Sequence, residues 1–559
     1  MSLPASVTLA STQHTVSDLR RPCASFAPSI WGDTFLQYAS ESMEVNDNVK
    51  QQAQILKEDV RMMFQASINQ NIIHKLNLID LLQRFGVSYQ FHQEINQALE
   101  QIKNSFNEDD NHDSIALLFR LLRQQGNPIP SSIFNKLKND QKKFNETLLN
   151  DIQGLCNLYE ATHIRTHEDD ILEEAYVFSK TRLEFLTDQV NSSLVTQINH
   201  CLKRPFGKTV PRFEARYHMT IYEQDPTHNK TLLKFAKMDY NILQSVHQKE
   251  IAHITKWWRK SNFVTKVPYA RDRLVESYLW SLATSYKLEC SNRRMFMGKL
   301  IAVVALLDDT YDDYGTVQEL ELFTKAIERW DISPFGYLPQ CMKVIFDTLV
   351  ELCGEIELAT TESGKSSLVV PYFKQAICDL IKGYMVEAKW CHEGYIPTYD
   401  EYKVNGVLSS TIPFFITSFI CLGEFATEHV FDWTFPGSNI IEAASIIGRV
   451  LDDMASHKFE QQRVHVASAV ECCMKQYGIS QADAYKLIHK DVEKFWKVIN
   501  EEYLKLNDIP KPVLDFILNL TQMCEVSYEN HQDRFTNGEL LQDYVSSLLV
   551  DPMCINQHQ

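Results

Sequence analysis

Basic charge is in short supply in this chain. Its 55 Lys and Arg stand against 72 Asp and Glu, a formal charge of −17. That balance excludes nucleic-acid binding as the main task, because a phosphate backbone is met by a basic footprint. An anionic small-molecule substrate stays open, provided metal ions or a local arginine cluster invert the field. Punctuation is scarce too: 18 Gly and 18 Pro in 559 residues leave little for an all-β fold and none for a fibrous one. The 13 Cys are scattered, with only Cys472 and Cys473 adjacent and no Cys-x-x-Cys pair. This is neither a disulfide framework nor a zinc site, and it predicts a reduced, cytoplasmic setting. No apolar run approaches the roughly 18 residues that cross a bilayer. The longest, Leu300 to Leu307 and Ile412 to Leu422, are core-sized. The N-terminus has no basic region followed by an apolar one, so secretion is not expected.

What is there is helix. With 44% hydrophobic and 23% charged residues the chain reads as globular protein. From Val49 onward apolar residues recur at i, i+3, i+4 and i+7, as in Ile115, Leu118, Phe119 and Leu122. Alternating β-branched strand patterns are nearly absent, and no 30–45-residue period points to a solenoid. An all-α protein of two helical domains is expected. The stretch Lys203 to Asn229, with three prolines, is the candidate boundary and divides the chain into 1–228 and 229–559. The acidic clusters Glu108-Asp109-Asp110 and Glu168-Asp169-Asp170 lie among polar residues and read as solvated.

Chemistry concentrates in the second half. Eight apolar residues, Leu300 to Leu307, run straight into Asp308-Asp309-Thr310-Tyr311-Asp312-Asp313. Acids beside a buried run are costly unless something positive compensates them. On a helix Asp308 and Asp312 share a face while Asp309 turns about 100° away. Two such carboxylates suit Mg²⁺, an oxygen-seeking ion usually held by one or two carboxylates plus substrate phosphates. A second apolar run leads into Asp452, Ser456 and Glu460, spaced by fours along one helix face as an all-oxygen chelate. Arg449 lies three residues before Asp452, placed to grip phosphate in a forked geometry. Arg271 and Arg273, in the loop after Pro268, are set to close over an anion. Lys458 and Arg463 read as phosphate partners or as solvated charges, with the solvated reading favoured.

With these motifs in this order, the chain resembles the plant-type class I terpene synthases. Asp308-Asp-Thr-Tyr-Asp312 is similar to their aspartate-rich motif, and Asp452 to Glu460 to their second metal motif, in a variant that uses Ser456. Arg271-Asp272-Arg273 matches the family's arginine motif, and Arg21-Pro22 followed by Trp31 its N-terminal arginine–tryptophan motif. The resemblance implies a C-terminal bundle with the two metal motifs on opposing helices. It also implies a catalytically silent N-terminal domain whose first segment caps the site. Asp308, Asp312, Asp452, Ser456 and Glu460 would hold Mg²⁺, three ions in all and replaceable by Mn²⁺, while Arg271, Arg273 and Arg449 would bind diphosphate.

By the same resemblance Trp280 lines the cavity. Tyr528, Asp533 and Phe535 resemble a Tyr…Asp-x-Tyr loop whose last hydroxyl is missing here. Ser409-Ser410-Thr411 corresponds to a helix break facing the substrate, which the flanking Gly406 and Pro413 support independently. An arginine motif about 20 residues from the start leaves no room for a transit peptide. A cytoplasmic, monomeric enzyme converting farnesyl diphosphate to a sesquiterpene is therefore expected. A geranyl diphosphate enzyme and an acyclic sesquiterpene producer stay open. A chain-elongating prenyltransferase would want an acid where Ser456 stands, and a non-enzymatic helical scaffold would leave the acid clusters as mere surface.

Overall fold

The computed structural model describes residues 25–40, 46–65, 72–105, 114–145, 148, 151–188, 192–435, 437–463 and 465–555. Among them α-helix dominates, with short 3₁₀ turns, no β-strand, and one isolated bridge between Lys138 and Phe144. The N-terminal half contributes α1 (Asp47–Met63), α2 (Ile72–Arg84), α3 (Ile115–Gln124), α4 (Ile152–Thr162) and α5 (Asp170–Leu186). The C-terminal half is built on α6 (Lys230–Ser261), α7 (Leu274–Thr284), α8 (Ser291–Asp313), α9 (Ser366–Glu393), α10 (Tyr399–Ser409), α11 (Ile412–Cys421), α12 (Asn439–Glu460), α13 (Gln481–Lys505) and α14 (Lys511–Ser527).

Local chemistry sets the ends of these helices. Asn229 caps α6, its side chain accepting the Leu232 amide at 3.0 Å, and α6 stops where Asn262 turns left-handed. Thr398 and Glu401 close a reciprocal capping box on α10. Helices α7, α8, α9, α10, α12 and α14 then pack in succession, and α14 returns to α7, so that they close a ring. Helix α11 continues from α10 and packs against α8, α9, α12 and α14. The run Leu300–Leu307 of α8 is buried throughout, facing neighbours on all sides rather than along one stripe.

The core does not stop at the expected boundary. One apolar cluster runs from Trp31 to Met553 through both halves, and α6 packs on α1 as well as on α8. Two smaller clusters, around Phe119 and around Tyr159, belong to the N-terminal half alone. Polar ties join the halves: Arg165 reaches Glu493 at 3.0 Å, and Asn500 donates to the carbonyls of His163 and Arg165 at 3.1 and 3.0 Å.

Two expectations need correction. Asp169 is not solvated; it is buried and takes both terminal nitrogens of Arg123, an arginine brought from α3 by tertiary packing. Glu168 and Asp170 on either side are exposed, whereas Glu108-Asp109-Asp110 and Arg21 lie outside the described residues. In addition, Tyr399–Cys421 is by length and composition apolar enough to cross a membrane. It is 61% buried in the ring and breaks at Ser410–Thr411, as a core element does.

Candidate active site

Inside the ring is an open pocket whose free space, solvent at its mouth included, is about 620 Å³, with an aromatic lower part. Ile301, Val304 and Ala305 of α8 form one wall, Tyr384 and Phe415 another. Trp280 of α7 is buried with its indole nitrogen unpartnered, and its ring meets those of Tyr528 and Phe535 edge-on at 6.4 and 6.3 Å. Tyr528 and Asp533 line the same cavity, as expected. Burial, together with Asp452 and Asp533, holds the Tyr528 phenol far above its ordinary pKa, so it remains a neutral hydroxyl.

Ser409, Ser410 and Thr411 also reach this cavity, at a true break. Helix α10 ends at Ser409, Thr411 takes φ +68°, and α11 restarts with Pro413 in its first turn. A β-branched residue at positive φ is strained, and such strain persists only where the surroundings over-determine it. The Ser409 hydroxyl does not aim at the cavity: it donates to Glu387 at 2.6 Å, and Ser410 donates to the Val407 carbonyl at 2.9 Å.

Above the apolar part lies an acidic mouth of about 600 Å³ that shares Arg271, Asp308, Arg449, Asp452 and Asp533 with it. Both sequence motifs open onto the mouth, Asp308 and Asp312 from α8, Asp452, Ser456 and Glu460 from α12. Alternate acids divide the labour as the helical period dictates. Asp309, 1% exposed, accepts the Arg271 amide at 2.7 Å, and Asp453, equally buried, accepts the Ala469 amide at 2.8 Å. These two fix the loops beside each motif and leave their neighbours to face the mouth.

Electrostatically the mouth is starved of positive charge. Burial, against the pull of Arg449, pushes Asp452 up to about 8. Desolvation likewise pushes Asp309, Glu387 and Glu460 up to about 7, and Asp312, with Asp308 and Glu387 close by, well above the carboxylate range. Two arginines pair with these acids. Arg271 donates to Asp308 at 2.5 Å and pairs with Asp309 at 2.9 Å; Arg449 donates to Asp452 at 2.6 Å and Asp453 at 2.9 Å. Phe26 and Phe535 stack on the Arg271 guanidinium at 5.3 and 5.9 Å.

Sequence reasoning missed three residues here. Glu387 lines the mouth opposite Asp308 and Asp312. The His465 ring stands between the motifs, 3.8 Å from Asp312 and 3.7 Å from Glu460. Tyr384 presents a buried hydroxyl with no partner at the cavity wall.

Two arginines sit elsewhere than expected. Arg463 is not a solvated charge: it pairs with Asp313 at 2.9 Å and stacks on Phe459 at 4.8 Å, whereas Lys458 is exposed as expected. Arg273 lines neither chamber, because its guanidinium is buried and donates to the carbonyls of Thr536, Ala27 and Asp272. The loop geometry after Pro268 turns Arg271 inward and Arg273 away.

The donor set suits a hard divalent cation. It is all oxygen, its carboxylates strain toward protonation for want of counter-charge, and the Ser456 hydroxyl is buried without a hydrogen-bond partner. As the side chains stand, no three carboxylate, imidazole or thiolate groups among the described residues converge on one point. Of the expected ligands only Asp308 and Asp452 are held by arginines, each through one carboxylate oxygen.

Residues 259–498 match the family model described as "Terpene synthase family, metal binding domain", and residues 30–202 the one described as "Terpene synthase, N-terminal domain". The chain is 42% identical to a (−)-germacrene D synthase from Vitis vinifera, over 98% of this chain and 99% of that protein. It is equally identical, with the same coverage, to a sesquiterpene synthase from Santalum austrocaledonicum. Among solved structures, isoprene synthase from grey poplar leaves (Populus x canescens), in complex with three Mg²⁺ ions and dimethylallyl-S-thiolodiphosphate, superposes with a TM-score of 0.85. The two chains are 31% identical, and the match covers 94% of this chain and 99% of that one.

Proposed function

The chain belongs to the terpene synthase family, and on that premise we propose that it is a sesquiterpene synthase acting on farnesyl diphosphate with Mg²⁺. One observation carries the reading: two acidic helix faces and two arginines meet around a single mouth, directly above a chamber lined by aromatic side chains. Asp308, Asp312, Glu387, Asp452, Ser456 and Glu460 would hold three divalent ions, with Mn²⁺ an acceptable replacement. Bound there, such ions act as Lewis acids toward the leaving diphosphate.

The chain's own groups then act as follows. Arg271 and Arg449, released from their carboxylates, turn forked donors onto the phosphate oxygens as charge builds on them. The prenyl chain lies in the lower chamber, where Trp280, Tyr528 and Phe535 offer ring faces to the allylic cation and exclude water. The break at Ser409–Thr411 borders the same space, and a helix end leaves backbone carbonyls without intrahelical donors. Asp533, at the rim of both chambers, stands where a proton leaving the cation can be taken up. Phe535 supplies a face and no hydroxyl, so proton transfer at that position is not part of the mechanism.

We assign this chemistry to 229–559 and a silent, supporting role to 1–228, with the segment bearing Phe26 covering the mouth. The protein works as a monomer in the cytoplasm, a setting supported by its twelve described cysteines, all free thiols. The test is incubation with farnesyl and with geranyl diphosphate plus Mg²⁺, with volatile products identified by mass spectrometry. Fifteen-carbon products are expected from the first. Turnover of geranyl diphosphate alone would move the substrate to ten carbons, and turnover of neither would defeat the assignment.

A further inference from the structure

We infer that Arg273 is a positioning residue that staples the segment bearing Phe26 to the loop bearing Asp533 and Phe535, so that both covers of the mouth close as one body. The inference rests on the diphosphate reading of the mouth given above.

The Arg273 guanidinium directs all its donors to backbone oxygens. Nε and Nη2 both donate to the Thr536 carbonyl, at 2.9 and 2.7 Å; Nη2 also donates to the Ala27 carbonyl at 2.8 Å, and Nη1 to Asp272 at 2.8 Å. Every acceptor is a backbone oxygen. No carboxylate lies within ion-pair distance of Arg273 among the described residues, although Glu276 is one helical turn away and buried with both its oxygens unpartnered. The side chain is 3% exposed, and it lines neither chamber. A phosphate-gripping arginine needs donors aimed at the anion, and these are aimed away from it.

The three segments it joins are far apart in sequence and meet beside the mouth. Thr536 is the shared node: its carbonyl takes Arg273, while its hydroxyl takes Arg271 at 2.9 Å. Its amide donates to Asp533 at 2.9 Å, which ties the cavity-rim acid into the same turn. One residue before Ala27, Phe26 lies over Arg271 and beside Phe459, facing the acids. Arg271 and Arg273, two residues apart, therefore divide the work: Arg271 faces the charge, and Arg273 joins the two covers above it. A planar fork can serve two carbonyls on different segments at once; an ammonium, a point charge on a flexible stem, cannot hold that geometry.

That difference supplies the test, run on the full-length enzyme as Arg273→Lys, Arg273→Gln and Arg271→Gln. Lysine preserves charge and stem, so it is the variant least prone to unfold, and a cooperative melt checks each protein. In Arg273→Lys, amide exchange at residues 25–31 and 533–541 should accelerate together by about tenfold or more, with the helix interiors unchanged. Affinity for Mg²⁺ plus inorganic diphosphate, measured by calorimetry, should stay within about threefold of the wild type. With farnesyl diphosphate, the share of water-quenched alcohols should rise severalfold. Arg271→Gln should show the reverse: diphosphate affinity falls about tenfold or more, and exchange at 25–31 hardly moves.

Rescue of wild-type exchange and products by lysine would overturn the inference, since charge alone would then suffice. So would a loss of diphosphate affinity in Arg273→Gln equal to that in Arg271→Gln, or exchange that accelerates in only one of the two segments. If the wild type neither binds diphosphate with Mg²⁺ nor turns over a prenyl diphosphate, the proposed function falls, while the exchange comparison still decides the staple.

Discussion

Buried acids occur in both halves of the molecule, and they behave in opposite ways. In the N-terminal half Asp80 is paired by Arg84 at 2.9 Å and by Arg120, and Arg84 also takes Glu160 at 2.5 Å. Desolvation there is overcome by the two guanidinium groups, which hold Asp80 down at about 2. In the mouth Asp452 has an arginine at a comparable 2.6 Å and is nevertheless pushed up to about 8. The difference is stoichiometry: two acids share two arginines in the first network, while the mouth gathers Asp308, Asp309, Asp312, Asp313, Glu387, Asp452, Asp453, Glu460 and Asp533 around Arg271, Arg449 and Arg463. A network that balances itself is a structural part. One that carries surplus carboxylates is relieved by protons or by cations from outside, which is the property the proposed metal site would use.

The sharpest way to break this contrast is to remove one surplus acid. Asp308→Ala should lose turnover by about 10³-fold or more if Asp308 is the cation ligand proposed above. Its melting temperature in EDTA should not fall, because it relieves repulsion; a lower melt would place Asp308 among the structural acids. Next comes Arg449→Ala, which removes forked donors and uncovers buried Asp453. A loss of about 10²- to 10³-fold in turnover is expected, together with a clear drop in melting temperature.

Asp80→Asn probes the balanced network and should do the converse: turnover unchanged, stability down by about 2 kcal/mol at neutral pH, read by chemical denaturation. The sign of the pH dependence follows from a folded pKa below the ordinary 3.8. The stabilisation is complete above pH 4 or so, drains away as pH falls through the interval down to about 2, and is absent from the variant's profile. The smallest effect is expected for Phe535→Tyr. It places a neutral hydroxyl at the chamber wall without altering the charge count, so rate should change by less than about threefold while the product ratio shifts. A large rate change would mean that Phe535 governs Arg271, on which it stacks.

How much of the site the sequence showed follows from where each residue's meaning resides. The two acidic faces are repeats of four that follow apolar runs within their helices, so spacing made them legible and even separated Asp308 from Asp309. The break at Thr411 was legible from Pro413 and Gly406. Glu387 has no motif, yet a signal was present: it sits within about a turn of Tyr384, Met385 and Ala388, an acid on the buried face of an amphipathic helix. His465 and Tyr384 carried no such mark. Asp169 misled because its sequence neighbours are polar, while its partner Arg123 lies 46 residues away.

Composition and periodicity by themselves determined the helices, their buried stripes and the register of the acids on them, because these depend on residues three or four apart and on side-chain solvation. Only the tertiary structure decided which acids share arginines and which are left in surplus. It also decided that Arg271 faces the mouth while Arg273 joins two distant backbones. Pairing of that kind depends on which segments the closed ring brings within about 3 Å of each other, and a local pattern carries no information about that distance.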